Sequence, residues 1–145
     1  MFIKNKSMND RTKKILTRAS VILVLSGFAG CDFWGGKGWG TLIKFDAGEL
    51  YYTSTIEARE AYKLGEYLVD SGFFDENRKT VQINKTDETY EFRMIVKKGI
   101  EQDPDFIDIF KDFSRELSYY VFDEASVDMH LCDEYFNTLR VVIPL

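Results

Sequence analysis

The chain is poor in the residues that most often announce chemistry. Among its 145 residues there is one histidine, His130, and there are two cysteines, Cys31 and Cys132. Structural zinc usually takes four ligands, mostly His and Cys, so this inventory is too small for a zinc site even though His130 and Cys132 would share one face of a strand. A Cys-His nucleophilic pair needs hydrogen-bond reach, and residues two apart on a strand lie about 7 Å from each other. Phosphate-cradling glycine loops, nucleophile elbows and dinucleotide fingerprints are missing, because the glycine-rich run at 35–40 has no strand before it and no helix after it. No catalytic residue, metal or cofactor is therefore assigned. Long apolar runs are also lacking: the stretch 19–29 has 11 residues, short of the roughly 20 that carry a helix across a bilayer.

What is present begins with an export signal. Lys4, Lys6, Arg11, Lys13, Lys14 and Arg18 against Asp10 make a basic leader, followed by that apolar run and by Phe28-Ala29-Gly30-Cys31. On these four residues the segment resembles the signal of bacterial lipoproteins, in which small residues precede a lipidated cysteine; Phe28 stands where that family usually has Leu. The resemblance implies removal of residues 1–30, palmitate-type lipidation of Cys31, and a mature protein held at the cell membrane, outside the cytoplasm. Asp32 resembles the residue that retains lipoproteins in the inner membrane, on its periplasmic face, in hosts with two membranes. Ordinary cleavage after Ala29, or an apolar N-terminal strand of a cytosolic protein, are the alternatives.

Loss of the signal changes the charge and cysteine counts. The chain has 19 Lys and Arg and 24 Asp and Glu; with the signal's 6 and 1 removed, 13 face 23, a net charge of −10 over 115 residues. Such a surface repels phosphate backbones and anionic headgroups, which excludes nucleic acid as a partner and leaves membrane attachment to the lipid. With Cys31 acylated, Cys132 has no disulfide partner, and a lone thiol of this kind is expected to be a small buried apolar residue. Residues 31–40 contain four glycines between 32 and 40 with Phe33, Trp34 and Trp39. They read as a tether at the wet apolar boundary of a membrane, or as a segment whose Trp side chains tuck into the domain.

Residues 41–145 form the single predicted domain. Thr41–Phe45 and Glu49–Thr53 read as a hairpin, and Ser54-Thr55-Ile56-Glu57 has capping-box spacing, so a helix is expected from there, with Ala61, Leu64, Gly65, Leu68 and Val69 on its apolar face and Gly72 as its stop. Val81 and Ile83 pair with Tyr90, Phe92, Met94 and Val96 across a second hairpin. Asp103-Pro104 opens a second helix, whose stripe runs from Phe106 through Ile109, Phe110, Phe113 and Leu117 to Val121. Val127, Met129 and Leu131 face inward in a third hairpin with Leu139, Val141 and Ile143. The expectation is an α+β fold of order ββ-α-ββ-α-ββ, an antiparallel sheet of three hairpins with two helices on one face. Phe74-Asp75-Glu76 matches Phe122-Asp123-Glu124, and Phe92–Val96 matches Leu139–Ile143, which suggests an internal αββ duplication.

Strand alternation then selects the candidate surface. With Val127, Met129 and Leu131 inward, Asp128, His130 and Cys132 point to the other face, joined by Arg140 on the return strand and by Gln82, Asn84 and Arg93. Arg93, Asp128, His130 and Arg140 are the candidate binding residues, set on an uncovered face that equally fits a solvated sheet with cross-strand ion pairs. Through Gly48–Thr53, Lys63–Leu68, Gly72–Asp75, Thr80–Gln82 and His130–Asp133, the body resembles domains of uncharacterised bacterial proteins, which implies a stand-alone module and no particular activity. The functional expectation is an envelope lipoprotein acting as a non-enzymatic binding or accessory module, with an envelope protein as possible partner. The rival is an envelope hydrolase using carboxylates and His130.

Overall fold

The computed structural model describes residues 38–144; the signal segment, Cys31, Phe33 and Trp34 lie outside the described residues. Strands β1 (Thr41–Phe45), β2 (Gly48–Tyr52), β3 (Lys79–Thr86), β4 (Thr89–Ile95), β5 (Val127–Cys132) and β6 (Thr138–Val142) form one sheet in chain order. Helix α1 (Ala58–Asp70) joins β2 to β3, while a 3-10 turn at Ile100–Gln102 and helix α2 (Pro104–Tyr120) join β4 to β5.

The expected antiparallel sheet is corrected by the pairing. Within each hairpin the strands are antiparallel, but β2 and β3 run parallel, with Leu50 opposite Val81, and so do β4 and β5, with Phe92 opposite Met129. The reason lies in the connections. Helices of 13 and 17 residues are about 20 and 25 Å long at 1.5 Å per residue, enough to return the chain along a whole strand. The next strand then starts from the same end as the last, as a parallel crossover requires. Each helix is a crossover as well as a cover, and the sheet is mixed.

Both helices pack into one buried cluster with the inward residues of the strands, among them Leu50, Ile83, Met94 and Leu131. At its centre Phe73 and Phe113 stack with centroids 5.3 Å apart, and Phe92 meets both edge-on. Gly65 of α1 lets Phe45 of β1 lie against the helix: a Cβ there would sit 2.0 Å from the Phe45 ring. The capping box falls three residues later than the Ser54 spacing suggests. Glu57 is the N-cap, and its N–H donates to Glu60 at 2.9 Å. The residues flanking Ser54 tie this stretch to β3 instead, with Thr53 and Thr55 both donating to Asn84. Val69 of the expected apolar face is exposed. Asp103 caps α2 as its spacing indicates, accepting from the Asp105 N–H at 3.0 Å, but Ile107 takes the buried place expected for Ile109.

The last strand departs from its predicted register. Leu139, Val141 and Ile143 are 46, 40 and 55 % exposed, and Val142 is the buried residue. A bulge between Leu131 and Cys132 shifts the pairing so that Arg140 lies opposite Leu131 and Thr138 opposite Cys132. An extra residue in one strand of a pair moves every later side chain to the opposite face. Phe92–Val96 and Leu139–Ile143 are thus out of phase in burial despite their matching sequence. Phe74 and Phe122, which follow α1 and α2, are both buried.

Candidate functional site on the outer sheet face

The face turned away from the helices carries a row that crosses all six strands: Leu42, Tyr51, Gln82, Arg93, His130 and Val141 stand successively opposite one another. Beside it Asn84, Glu91 and Asp128 form a second row. Of the four candidate residues, three come together here. Arg140 does not: it projects with Leu131 and donates to the Glu101 carbonyl at 3.0 Å.

This face is partly covered, in contrast to the open surface expected. The segment 38–40 folds back over it, so that the Trp39 ring meets Tyr51 and Phe136 edge-on at 5.4 and 4.8 Å, and the Trp39 carbonyl accepts from Gln82 at 2.7 Å. Phe136 arrives from the β5–β6 loop, which Asp133 organises by accepting from the N–H groups of Tyr135 and Asn137. Beneath these rings Ile95 and Cys132 are buried. Burial pushes the Cys132 thiol up to about 11, and its Sγ donates to the His130 carbonyl at 3.4 Å. It is a packed thiol and not a nucleophile.

Glu91, Asn84, Thr86 and Arg93 form a connected polar network on the face, although Arg93 Nε is buried without a hydrogen-bond partner among the described residues. Glu91 accepts from Asn84 at 3.0 Å and from Thr86 at 2.8 Å, with Arg93 Nη1 at 3.6 Å. Against the upward push of burial, the bonds from Asn84 and Thr86, with His130 and Arg93 nearby, hold its carboxyl below the usual range. Arg93 donates to the Phe136 carbonyl at 2.6 Å and approaches His130 Nδ1 at 3.5 Å. Since guanidinium can only donate, Nδ1 faces it bare and the neutral ring carries its proton on Nε2. Burial, with Arg93, lowers the His130 pKa, while Glu91 and Asp128 oppose the shift. Burial and Glu91 raise that of Asp128, and His130 opposes.

A general base needs a free lone pair aimed at a substrate, whereas the bare nitrogen of His130 is directed at Arg93 and at Thr138 Oγ1, 3.2 Å away. Asp128 lines a cleft of about 530 Å³ with Arg115, Tyr119, Ser126 and Ile143, and His130 is not part of that lining. Among the described residues no three His, Cys, Asp or Glu side chains gather as a metal site, and no helix is long and apolar enough to cross a membrane. Of three further contributors, Glu91 and Phe136 escaped the sequence reading and Trp39 was half-anticipated. Glu91 was legible as the residue two before Arg93 on an alternating strand, and Trp39 as one of two alternatives for the Gly-Trp run. Phe136 had no local signal beyond being an aromatic in a polar loop after Asp133.

A family model described as the AF_1994_N family N-terminal domain matches residues 43–142, and the chain belongs to that family. Searches of curated proteins and of solved structures found no match.

Proposed function

We propose that this family member is an exported lipoprotein, anchored through Cys31, whose α+β domain is a non-enzymatic binding or accessory module at the cell envelope. The export half rests on the basic leader, the short apolar run and Ala29-Gly30-Cys31. The binding half is carried by one observation: three ionisable groups at the centre of the outer face, Glu91, Arg93 and His130, direct most of their hydrogen bonds to each other and to Asn84, Thr86 and the Phe136 carbonyl, with Asp128 beside this network. Groups locked in this way make a rigid display surface and offer no poised acid, base or nucleophile.

The test is made in cells. The chain should incorporate labelled palmitate and fractionate with membranes, and Cys31→Ala should abolish both. Undiminished labelling of the variant overturns the anchor. Crosslinking in intact cells, followed by identification of what is captured with Arg93 and Asp128 intact and lost in their alanine variants, tests the module.

A further inference from the structure

We infer that the outer sheet face is turned toward the bilayer, and that its exposed apolar rim along β6, formed by Leu139, Val141 and Ile143 with Tyr135 of the preceding loop, lies against the lipid surface. This rests on the anchor reading above and adds a partner of stated chemistry, the headgroup and upper acyl region of a zwitterionic membrane.

Trp39 is pinned to the outer face by its carbonyl bond to Gln82 and by its ring contacts with Tyr51 and Phe136. The chain toward Cys31 therefore leaves from that face, over β2 and β3, and not from a sheet edge or the helical layer. Six residues, and so seven Cα-to-Cα steps, separate Cys31 from Gly38. Fully extended they span about 25 Å, and as a glycine-rich coil about 15 Å root-mean-square.

Turning the helical layer to the bilayer would route this segment about 10 Å across two strand spacings to the β1 edge. It would then have to pass a further 10–12 Å of helix. That path of about 20–22 Å exceeds the coil span of about 15 Å and approaches the full extension of about 25 Å, so this orientation is the costlier one. With the outer face toward the lipid, no such detour is required.

The side chains on that face agree with the direction. The β6 rim is apolar and exposed, Tyr135 beside it is exposed, and Phe136, next in sequence, is the ring that Trp39 packs against. Aromatic and aliphatic groups at a rim with a wet polar centre suit the boundary between headgroups and chains. Asp133 and Glu134 flank the rim, so neutral headgroups fit it and anionic ones do not.

The test uses the full lipidated chain in phosphatidylcholine vesicles. Cys31 is consumed by lipid and Cys132 is buried, so a single introduced cysteine accepts a polarity-sensitive fluorophore. Val141→Cys should give blue-shifted emission that brominated lipid quenches. Tyr62→Cys, on the exposed side of α1, should give neither. Equal signals at the two positions, or a stronger one at Tyr62, overturn the inference while palmitate incorporation leaves the anchor standing. Absence of palmitate overturns both. Protection of Val141→Cys in native membranes but not in lipid vesicles assigns the rim to a protein partner and overturns the lipid assignment.

Discussion

Replacing Trp39 by alanine asks whether the domain begins at β1 or includes the segment before it. The indole is partly buried between Tyr51 and Phe136. Burying about half of the 150–250 Å² that an aromatic side chain offers is worth about 2–3 kcal/mol at 25 cal/mol/Å². Because the ring lies at a rim, about 2 kcal/mol is the expected cost. It should appear first as local opening over Cys132, which this cover keeps from solvent. In a Cys31→Ser background Cys132 is the only thiol. At tenfold per 1.4 kcal/mol, Trp39→Ala should raise its alkylation rate about 30-fold. Urea unfolding should show the matching loss of stability. Phe136→Ala should act in the same direction, since it removes the other half of the cover. Unchanged labelling together with an unchanged unfolding midpoint would refute the reasoning, showing the Trp39 segment to be a free tether that contributes nothing to the fold.

Gly65→Ala gains about 1 kcal/mol in helix propensity, but its Cβ would strike the Phe45 ring, which Phe74 and Tyr62 flank at 6.1 and 6.3 Å. Overpacking of about 1–3 kcal/mol should win, so the melting temperature should fall; a rise would show that the ring swings clear. His130 gives a pH signature. Its native pKa lies below 6.5, so the unfolded chain binds the proton more tightly. The stability this confers is complete above 6.5 and is lost as pH falls through that value toward the native one. The facing groups are Glu91, Arg93 and Asp128. Urea midpoints at about pH 7.5 and 5.5 should differ less in His130→Gln than in the parent, and an unchanged difference would remove His130 as the cause.

The legible part of this fold is the part governed by local periodicity. Val81 and Ile83, Phe92 and Met94, and Val127, Met129 and Leu131 alternate in sequence and are buried, and Asp103-Pro104 marks the start of α2. Strand direction is not local, but the lengths of the two helical segments already contained it, because a connection of that size returns the chain to its starting end. The β6 register was hidden for a different reason. Leu139, Val141 and Ile143 alternate as well as any core strand, and only the bulge beside Cys132, set by tertiary pairing, turns them outward. At the candidate site, alternation brings Arg93, Asp128 and His130 to one face. The bulge sends Arg140 to the other, and the Trp39 and Phe136 cover depends on contacts more than forty residues away in sequence that no spacing rule reports.

Strand order equal to chain order has a kinetic consequence. Every strand pairs only with its immediate predecessor and successor, so no strand must wait for a distant segment to be inserted beside it. Each hairpin closes a short loop, and each helix closes the next one over a few tens of residues. Folding rate falls as the sequence separation of contacts grows, and here that separation is small for a six-stranded sheet. The domain can therefore assemble progressively from β1 to β6 as the chain emerges, with the bulged last strand sealing the sheet.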